Sequence, residues 1–333
     1  MPALPPFSTA MRRACDEARL WLGSTSPNPP VGAVALDIDG KILAVAAHKK
    51  AGTDHAEAAL LKLCKAKNLM SQVHTMCVTL EPCNHFGRTP PCAGAIIAAG
   101  VKRVVVGMRD PNVRVKGGGC ERLRESGVEV VLGVESEMCR RLIHAFAFHA
   151  RTGKPFITVK RAFDTAGSMI PPPGEKVFTS KESLILAHRL RKKADAIITG
   201  SGTVLADNPL FTVRHVADYA DKRRVLAILD RRGRVSQEYI DQAAQRGLDV
   251  TVYKDIDSCL LDLESRGIRD ILVESGPILS QFMLDSGHWA MRVDIFKGVA
   301  GENEGDRVDV QFNPKEAIPF DTNGLRIDSL LPL

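Results

Sequence analysis

The segment from Thr75 to Gly100 reads TMCVTLEPCNHFGRTPPCAGAIIAAG, and it decides the fold of the first half of the chain. Its first six residues, up to Leu80, predict a buried strand because their side chains are mostly apolar or β-branched. A Pro-rich polar loop follows, and the apolar residues from Ala93 to Ala99 predict a helix that Gly100 ends. A strand, a loop and a helix in this order are typical of an α/β fold.

The same alternation extends outward from this segment through the first half of the chain. Asp39-Gly40 between two apolar runs predicts a hairpin. We predict helices at 8–22, 55–65, 93–99, 121–125 and 136–149, and strands at 31–36, 41–46, 75–80, 103–106 and 128–132. Alternating strands and helices imply a sheet that helices cover.

A domain boundary is predicted at Arg151-Thr152-Gly153-Lys154-Pro155, because Gly and Pro interrupt the preceding helix. We therefore divide the chain into domains 1–150 and 151–333. The second domain also alternates, with strands at 156–160, 196–199, 225–229, 250–253, 271–274 and 293–296, and helices at 181–192, 237–245, 256–265 and 278–285. The last thirty or so residues are too polar to assign.

Composition limits the function classes. A length of 333 residues with 44% hydrophobic and 25% charged residues fits two globular domains. The net charge of +6 is too small to indicate a nucleic-acid binder and suits a phosphorylated small substrate. We expect no membrane association and a cytoplasmic location, because no run reaches roughly 18 apolar residues and the N-terminus has no leader-like apolar core.

His55-Ala56-Glu57 at a predicted helix start, Cys83 after a strand and Cys92 form a metal-ligand set. Catalytic zinc takes three His or Cys ligands and keeps the fourth position for water. Glu57 is two residues from the His ligand, so it can move protons near the open position without binding the metal. This pattern is the zinc deaminase signature. We expect ordinary structural roles for the cysteines and histidines without such a pattern, which are Cys15, Cys64, Cys77, Cys120, Cys139, His74, His144, His149, His188, His215 and His288.

The spacing between the paired cysteines separates this chain from nucleic-acid and cytidine deaminases, which have two residues there. Eight residues separate Cys83 from Cys92, and Thr79 to Cys92 reads TLEPCNHFGRTPPC. This stretch resembles the bifunctional deaminase/reductase family of riboflavin biosynthesis. The resemblance continues at Ser26-Pro27-Asn28-Pro29, from His48 to Glu57, and at Asp110-Pro111-Asn112.

The resemblance implies a cytidine-deaminase-like three-layer domain that binds Zn²⁺ and hydrolyses a phosphorylated pyrimidine. The implied substrate is 2,5-diamino-6-ribosylamino-4(3H)-pyrimidinone 5′-phosphate. Amide and imidazole groups suit the edge of its flat ring, and a guanidinium suits its phosphate. The matching residues are Asn28, His48 and His85 for the ring, Arg88 for the phosphate, and Asp110 and Asn112 for the ribose hydroxyls.

The second domain has a weak signal of its own in Gly200-Ser201-Gly202-Thr203, which follows a predicted strand. Small residues there let backbone N–H groups approach a phosphate. The run lacks the spacing and the helix start of a dinucleotide-binding fingerprint. The longer run to Arg214, together with Leu272-Val273-Glu274-Ser275-Gly276-Pro277, resembles the reductase half of the same family.

That resemblance implies a dihydrofolate-reductase-like α/β domain that uses NADPH to reduce the ribosyl group to ribityl. It also implies a homo-oligomer formed through the reductase domain. The implied cofactor residues are Thr203, Asp207, Gly276 and Pro277, and the implied substrate residues are Lys160, Arg191, Arg214 and Glu274.

The reductase half departs from the family pattern in several places, including Val177-Phe178 where an aromatic often precedes Thr179-Ser180 and Ser275 where the family has a Gly. The family usually reads K-x-A-x-S-x-D-G where this chain has Lys160-Arg161-Ala162-Phe163-Asp164-Thr165-Ala166-Gly167. The C-terminal A-P-x-L-x-G turn is not recognisable in residues 293–310. An active deaminase with a weakened or altered reductase is therefore an alternative.

Two other functions remain as rivals. A nucleoside or tRNA deaminase predicts two-residue cysteine spacing and a strongly basic stripe. A binding or regulatory protein with structural zinc predicts a fourth protein ligand and a dispensable Glu57.

Overall fold

The computed structural model describes residues 6–84, 91–112, 118–171, 178–298 and 305–332. The chain forms two compact units, Met1–Gly153 with Pro319–Leu333, and Lys154–Ile318. The sequence wrongly placed residues 319–333 in the second domain. In this C-terminal segment Leu330 and Leu331 are buried, the ring of Phe320 packs against His144, and Arg141 donates a hydrogen bond to the carbonyl of Asp321.

The first unit contains the strands β1 (Gly32–Leu36), β2 (Ile42–Ala47), β3 (Thr75–Val78), β4 (Arg103–Val106) and β5 (Glu129–Leu132). Its helices are α1 (Pro6–Arg19), α2 (Ala56–Ala66), α3 (Cys92–Ala98), α4 (Gly119–Glu125), α5 (Ser136–Leu142) and α6 (His144–Thr152). Two short 3-10 helices occupy Met70–Gln72 and Ile327–Leu330.

The five strands form one sheet in the order β2-β1-β3-β4-β5, in which β1 is antiparallel to its neighbours and β3, β4 and β5 are parallel. Successive strand residues point to opposite faces. Met76 therefore packs with α2, α3 and α4, while Cys77 packs with α1 and α5. On the latter face, a Cβ at Gly32 would lie 1.9 Å from the carbonyl oxygen of Ala14 in α1. Helices cover both faces, which confirms the predicted three-layer arrangement.

The second unit contains the strands β6 (Phe156–Phe163), β7 (Ala196–Gly200), β8 (Arg224–Leu229), β9 (Leu248–Tyr253), β10 (Asp270–Glu274), β11 (Met291–Phe296) and β12 (Arg307–Phe312). Its helices are α7 (Lys181–Lys193), α8 (Ser201–Asp207), α9 (Gln237–Gln245), α10 (Ile256–Ser265) and α11 (Pro277–Asp285). The sheet order is β12-β11-β6-β10-β7-β8-β9, and only the pairing of β11 with β12 is antiparallel. Alternate strand residues pack under α10 and α11 or under α8 and α9.

Three elements differ from the prediction. A helix, α8, begins at Ser201 directly after β7, where the sequence indicated only a Gly-containing loop. The helix predicted at 136–149 is two helices, because the backbone leaves the helical conformation at Ile143. Strand β12 lies in the polar C-terminal region that the sequence left unassigned. No helix in the described part of the chain has both the length and the apolar character needed to cross a membrane.

Candidate active sites

Three elements of the first unit bring His55, Cys83 and Cys92 together. His55 is the N-cap of α2, Cys83 follows β3 in the loop, and Cys92 is the first residue of α3. Their ligand atoms all lie within 4.8 Å of one another. His55 Nδ1 is 3.6 Å from Cys83 Sγ and 3.4 Å from Cys92 Sγ. Usual Zn–N and Zn–S bond lengths at a tetrahedral angle place such atoms about 3.6 Å apart, so the three residues fit zinc.

The two cysteines of this cluster share a hydrogen bond that shifts their pKa values in opposite directions, and together with burial it raises the pKa of Cys92 well above its usual range. The hydrogen bond with the Cys92 side chain and a further one with His55 outweigh burial and lower the pKa of Cys83 to about 4. Thiolates are the form that binds zinc. Glu57, in the first turn of α2, is 4% exposed, and burial raises its pKa to about 7. The site therefore places a thiolate and a proton-accepting carboxyl group side by side.

A cavity of about 250 Å³ opens beside the three ligands and is lined by Asn28, His48, Glu57, Asp110, Asn112 and Phe146 among others. His48 Nδ1 lies 2.9 Å from the carbonyl oxygen of Asp54, and its Nε2 lies 3.2 Å from Asn28 Nδ2. Burial lowers the pKa of His48, so the neutral ring donates to Asp54 and accepts from Asn28. Asn28 is thereby held at the cavity wall.

Glu81 is a site residue to which sequence reasoning gave no role, although it lies within the quoted motif. Its carboxylate is buried and accepts hydrogen bonds from the backbone N–H groups of Asp110 and Cys120 at 3.3 and 3.1 Å. Asp110 Oδ1 in turn accepts from Asn112 N at 2.8 Å. Glu81 thus ties the 110–112 turn to the metal loop.

Of the predicted ring and ribose residues, Asn28, His48, Asp110 and Asn112 line this one cavity. His85 and Arg88 fall outside the described residues, so their predicted roles stay predictions. Close packing fixes the position of α4 against the metal loop, since a Cβ at Gly119 would lie 1.8 Å from the carbonyl oxygen of Pro82.

In the second unit, Glu274 at the end of β10 forms ion pairs with two of the predicted substrate residues, Lys160 and Arg191. Lys160 is its neighbour on β6 in the parallel register, and Lys160 Nζ lies 3.1 Å from Glu274 Oε1. Arg191 donates two hydrogen bonds to the carboxylate at 2.7 and 2.8 Å. Burial alone would raise the pKa of Glu274, but Arg191 and then Lys160 hold it well below its usual range.

His188 joins the same cluster, which the sequence did not indicate. It lies one turn before Arg191 on α7, and its Nδ1 accepts a hydrogen bond from the backbone N–H of Arg214 at 2.8 Å. Burial, followed by the charge of Arg191, lowers the pKa of His188 to about 4. The neutral ring therefore anchors the segment that carries Arg214. The sequence signal for this contact was the spacing between His188 and Arg191, since residues three apart on a helix lie on the same face.

Two helix N-termini meet at the carboxyl ends of β7 and β10. Gly276 is the N-cap of α11 with Pro277 in the first turn, and Gly276 N donates to Thr203 Oγ1 of α8 at 2.9 Å. Two adjacent N-termini offer backbone N–H groups to a pyrophosphate, so this edge of the sheet fits the cofactor. Asp207 lies apart from that contact, exposed at the last residue of α8.

The altered segment after Lys160 forms a turn. Asp164 Oδ1 accepts hydrogen bonds from Ala166 N at 2.9 Å and Ser168 N at 2.7 Å. The carboxylate thus stabilises the turn that follows β6, although it departs from the family pattern.

Both halves of the chain match known protein families. The cytidine and deoxycytidylate deaminase zinc-binding region matches residues 7–108, and the RibD C-terminal domain matches residues 155–289. The riboflavin biosynthesis protein RibD of Aquifex aeolicus is 37% identical over 316 residues, which cover 88% of this chain and 87% of that protein. The chain belongs to the RibD family.

Solved structures agree with this family membership along most of the chain. A deaminase/reductase from Thermotoga maritima has a TM-score of 0.78 and 32% identity, covering 90% of this chain and 88% of its own. RibD from Acinetobacter baumannii has a TM-score of 0.74 and 31% identity, covering 89% of this chain and 88% of its own. The chain is a bifunctional enzyme of riboflavin biosynthesis with a zinc-dependent deaminase and an NADPH-dependent reductase, as the sequence predicted.

Proposed function

We propose that the first unit removes the amino group of 2,5-diamino-6-ribosylamino-4(3H)-pyrimidinone 5′-phosphate by hydrolysis, and that the second reduces the ribosyl group of the product to ribityl. The observation that carries the first step is the separation of 3.4–3.6 Å between His55 Nδ1 and the two thiol sulfurs beside buried Glu57. The family resemblance in the TLEPC and GRTPPC motifs supports the choice of substrate.

In the deaminase, His55, Cys83 and Cys92 would hold zinc, which would supply a Lewis acid that activates water for attack. Glu57 accepts a proton from the attacking water and donates it to the leaving amine. Asn28 and His48 bind the edge of the pyrimidine ring from the cavity wall. His85 binds the ring edge as well, Arg88 binds the phosphate, and Asp110 and Asn112 bind the ribose hydroxyls.

In the reductase, NADPH would supply the hydride to C1′ of the ribose. The bond from C1′ to the ring oxygen breaks, and that oxygen takes up a proton to give the open ribityl chain. Glu274 binds the ribose hydroxyls, and Lys160 and Arg191 keep its carboxylate charged and oriented. Arg214 binds the substrate phosphate, with His188 holding its backbone. Thr203, Asp207, Gly276 and Pro277 bind the cofactor, and the pyrophosphate lies at the paired helix N-termini.

We also propose that the second unit forms a homo-oligomer and that the protein is cytoplasmic. Ile278 and Phe282, 88% and 49% exposed, stand four residues apart on one face of α11, which supports an apolar contact with a second copy. Light scattering of the full chain tests this, and a monomer at micromolar concentration would contradict it. The unpaired state of all eight cysteines supports a reducing compartment, which cell fractionation tests.

The decisive experiment incubates the zinc-loaded full chain with the diaminopyrimidinone phosphate, with and without NADPH, and identifies products by mass spectrometry. We expect the deaminated ribosyl compound and ammonia without NADPH, and the ribityl compound with it. Reduction of the ribosyl group before loss of the amino group would contradict the proposed order, and an unchanged substrate would contradict the proposed substrate.

A further inference from the structure

A second cavity lies in the second unit at the amino ends of β8 and β9. Its volume is about 530 Å³, and small-molecule sites occupy roughly 300–1,000 Å³. Arg224 and Leu248, the first residues of these two strands, line it together with Arg246 and the 218–223 segment. The proposed substrate and cofactor contacts make no use of this cavity.

Arg246 is the C-cap residue of α9, and its guanidinium packs against the ring of Tyr239 with Cζ 5.9 Å from the ring centroid. Its Nε and Nη2 are buried, and neither has a hydrogen-bond partner within the described ranges. Buried side-chain donors are almost always paired with protein, water or a ligand. A guanidinium has only donors, so the missing partner is an acceptor.

The lining of the cavity has more cationic than anionic side chains. Four cationic side chains, Lys222, Arg223, Arg224 and Arg246, face two carboxylates, Asp218 and Asp221. Asp218 accepts two hydrogen bonds from Arg224 at 2.6 and 2.9 Å, and Lys222 is paired with Asp195 outside the lining at 3.3 Å.

Arg224 is also committed to the backbone. Its Nε donates to the carbonyl oxygen of Arg191 at 2.7 Å, and its Nη2 donates to that of Lys192 at 3.0 Å. Arg223 is exposed, and its side chain makes no ion pair with the residues that the structure describes. The cavity therefore presents Arg223 and Arg246 as the two guanidinium groups available to an anion.

We propose that this cavity binds the phosphate group of a small phosphorylated molecule through Arg246 and Arg223. The planar guanidinium matches phosphate oxygens in a bidentate manner and is the preferred side chain for such contacts. The volume exceeds that of inorganic phosphate and leaves room for the organic part of the ligand. Arg224 forms the wall that connects the cavity to the backbone of Arg191.

The test titrates pyrophosphate into the zinc-loaded full chain by calorimetry at low ionic strength, where anion binding is least screened. Saturating NADP⁺ and a background of Arg88→Gln with Arg214→Gln block the three phosphate sites proposed above. We expect one pyrophosphate per chain, and at least ten-fold weaker binding after Arg223→Gln with Arg246→Gln. Arg326→Gln removes the same charge from a side chain that is 87% exposed in the first unit and should leave binding unchanged.

Arg246→Lys keeps the charge and loses the bidentate geometry, so it should weaken binding less than Arg246→Gln does. This variant also covers the case in which the double variant fails to fold. Equal affinity in the parent with Arg88→Gln and Arg214→Gln and in the Arg246 variants would overturn the proposal. An equal loss from Arg326→Gln would overturn it as well, since the binding would then be non-specific.

Discussion

The two proposed active sites each contain a buried glutamate, and the two glutamates have opposite pKa shifts. Glu57 lies among thiols and an imidazole, and burial raises its pKa to about 7. Glu274 is equally enclosed, but Arg191 and Lys160 overcome burial and hold its pKa well below the usual range. A carboxyl group that titrates near neutrality can carry protons, whereas one that stays charged serves as a fixed anchor. The surroundings of a buried carboxylate therefore decide which role it can take.

The largest expected effect comes from removing Glu57, the proposed proton carrier. Glu57→Gln keeps the shape and removes the proton acceptor, so we expect deamination to fall by about 10²–10⁴-fold. Zinc content, measured by atomic emission, should be unchanged. Reduction of the deaminated intermediate should be unchanged too. Glu125→Gln, on an exposed residue of α4, is the matched control. If the Glu57→Gln variant still deaminates its substrate at the parent rate, Glu57 does not carry protons and does not differ from Glu274 in this role.

The second prediction removes the charged anchor. Glu274→Gln leaves Arg191 and Lys160, whose side chains are only 12% and 16% exposed, without their carboxylate. Breaking a buried ion pair costs about 3–5 kcal/mol. We expect the free energy of unfolding of the second unit, measured with urea, to fall by that amount, and reduction to be lost. Glu264→Gln, on an exposed position of α10, is the control. If both variants unfold at the same urea concentration, Glu274 is not the anchor described here.

The metal site of the deaminase could be predicted from the sequence because its candidate ligands lie in short motifs. His55 and Glu57 are two residues apart, and Cys83 and Cys92 flank one loop, so local spacing contains most of the site. Asn28, His48, Asp110 and Asn112 could be placed near it only through the family resemblance, and the structure brings all four to one cavity. Glu81 had no role in the prediction because its partners, the N–H groups of Asp110 and Cys120, are about thirty or more residues away.

Two elements of the reductase half and the C-terminal segment were not predicted, and each has its own physical reason. Helix α8 was missed because Gly200-Ser201-Gly202 has low helix propensity, which its packing after β7 overrides. Strand β12 is half-buried and reads RVDVQF, so its alternation of apolar and polar residues was the only signal. The C-terminal residues 319–332 pack on helices more than 170 residues earlier in the chain, a contact that no local pattern reports.

The third prediction concerns how the free energy of unfolding of the second unit depends on pH through His188. Burial and Arg191 lower the pKa of His188 to about 4, so the native ring stays neutral below the ordinary histidine pKa of about 6.5. Between these values the unfolded chain binds a proton that the native chain does not, and stability falls as the pH falls. Urea unfolding at pH 7 and pH 5 measures this loss, and His188→Gln should reduce it.

The glutamine in His188→Gln can still accept the hydrogen bond from Arg214 N, whereas His188→Leu cannot. We therefore expect His188→Leu to raise the KM of the reductase for its phosphorylated substrate at pH 7, and His188→Gln to raise it less. An acid-induced loss of stability that is identical in the parent and in both variants would show that His188 does not contribute to it.

The smallest effect is expected from removing the neutral hydrogen bond between Gly276, the N-cap of α11, and Thr203 in α8. Thr203→Val keeps the shape of the side chain and removes the oxygen that accepts from Gly276 N, at a cost of about 1 kcal/mol. We expect the Kd for NADPH, measured by fluorescence, to rise by about five-fold, because 1.4 kcal/mol corresponds to ten-fold. Thr199→Val is the matched control on β7, since the Thr199 hydroxyl is buried and has no partner among the residues described. If the two valine variants bind NADPH equally, the contact between α8 and α11 does not shape the cofactor site.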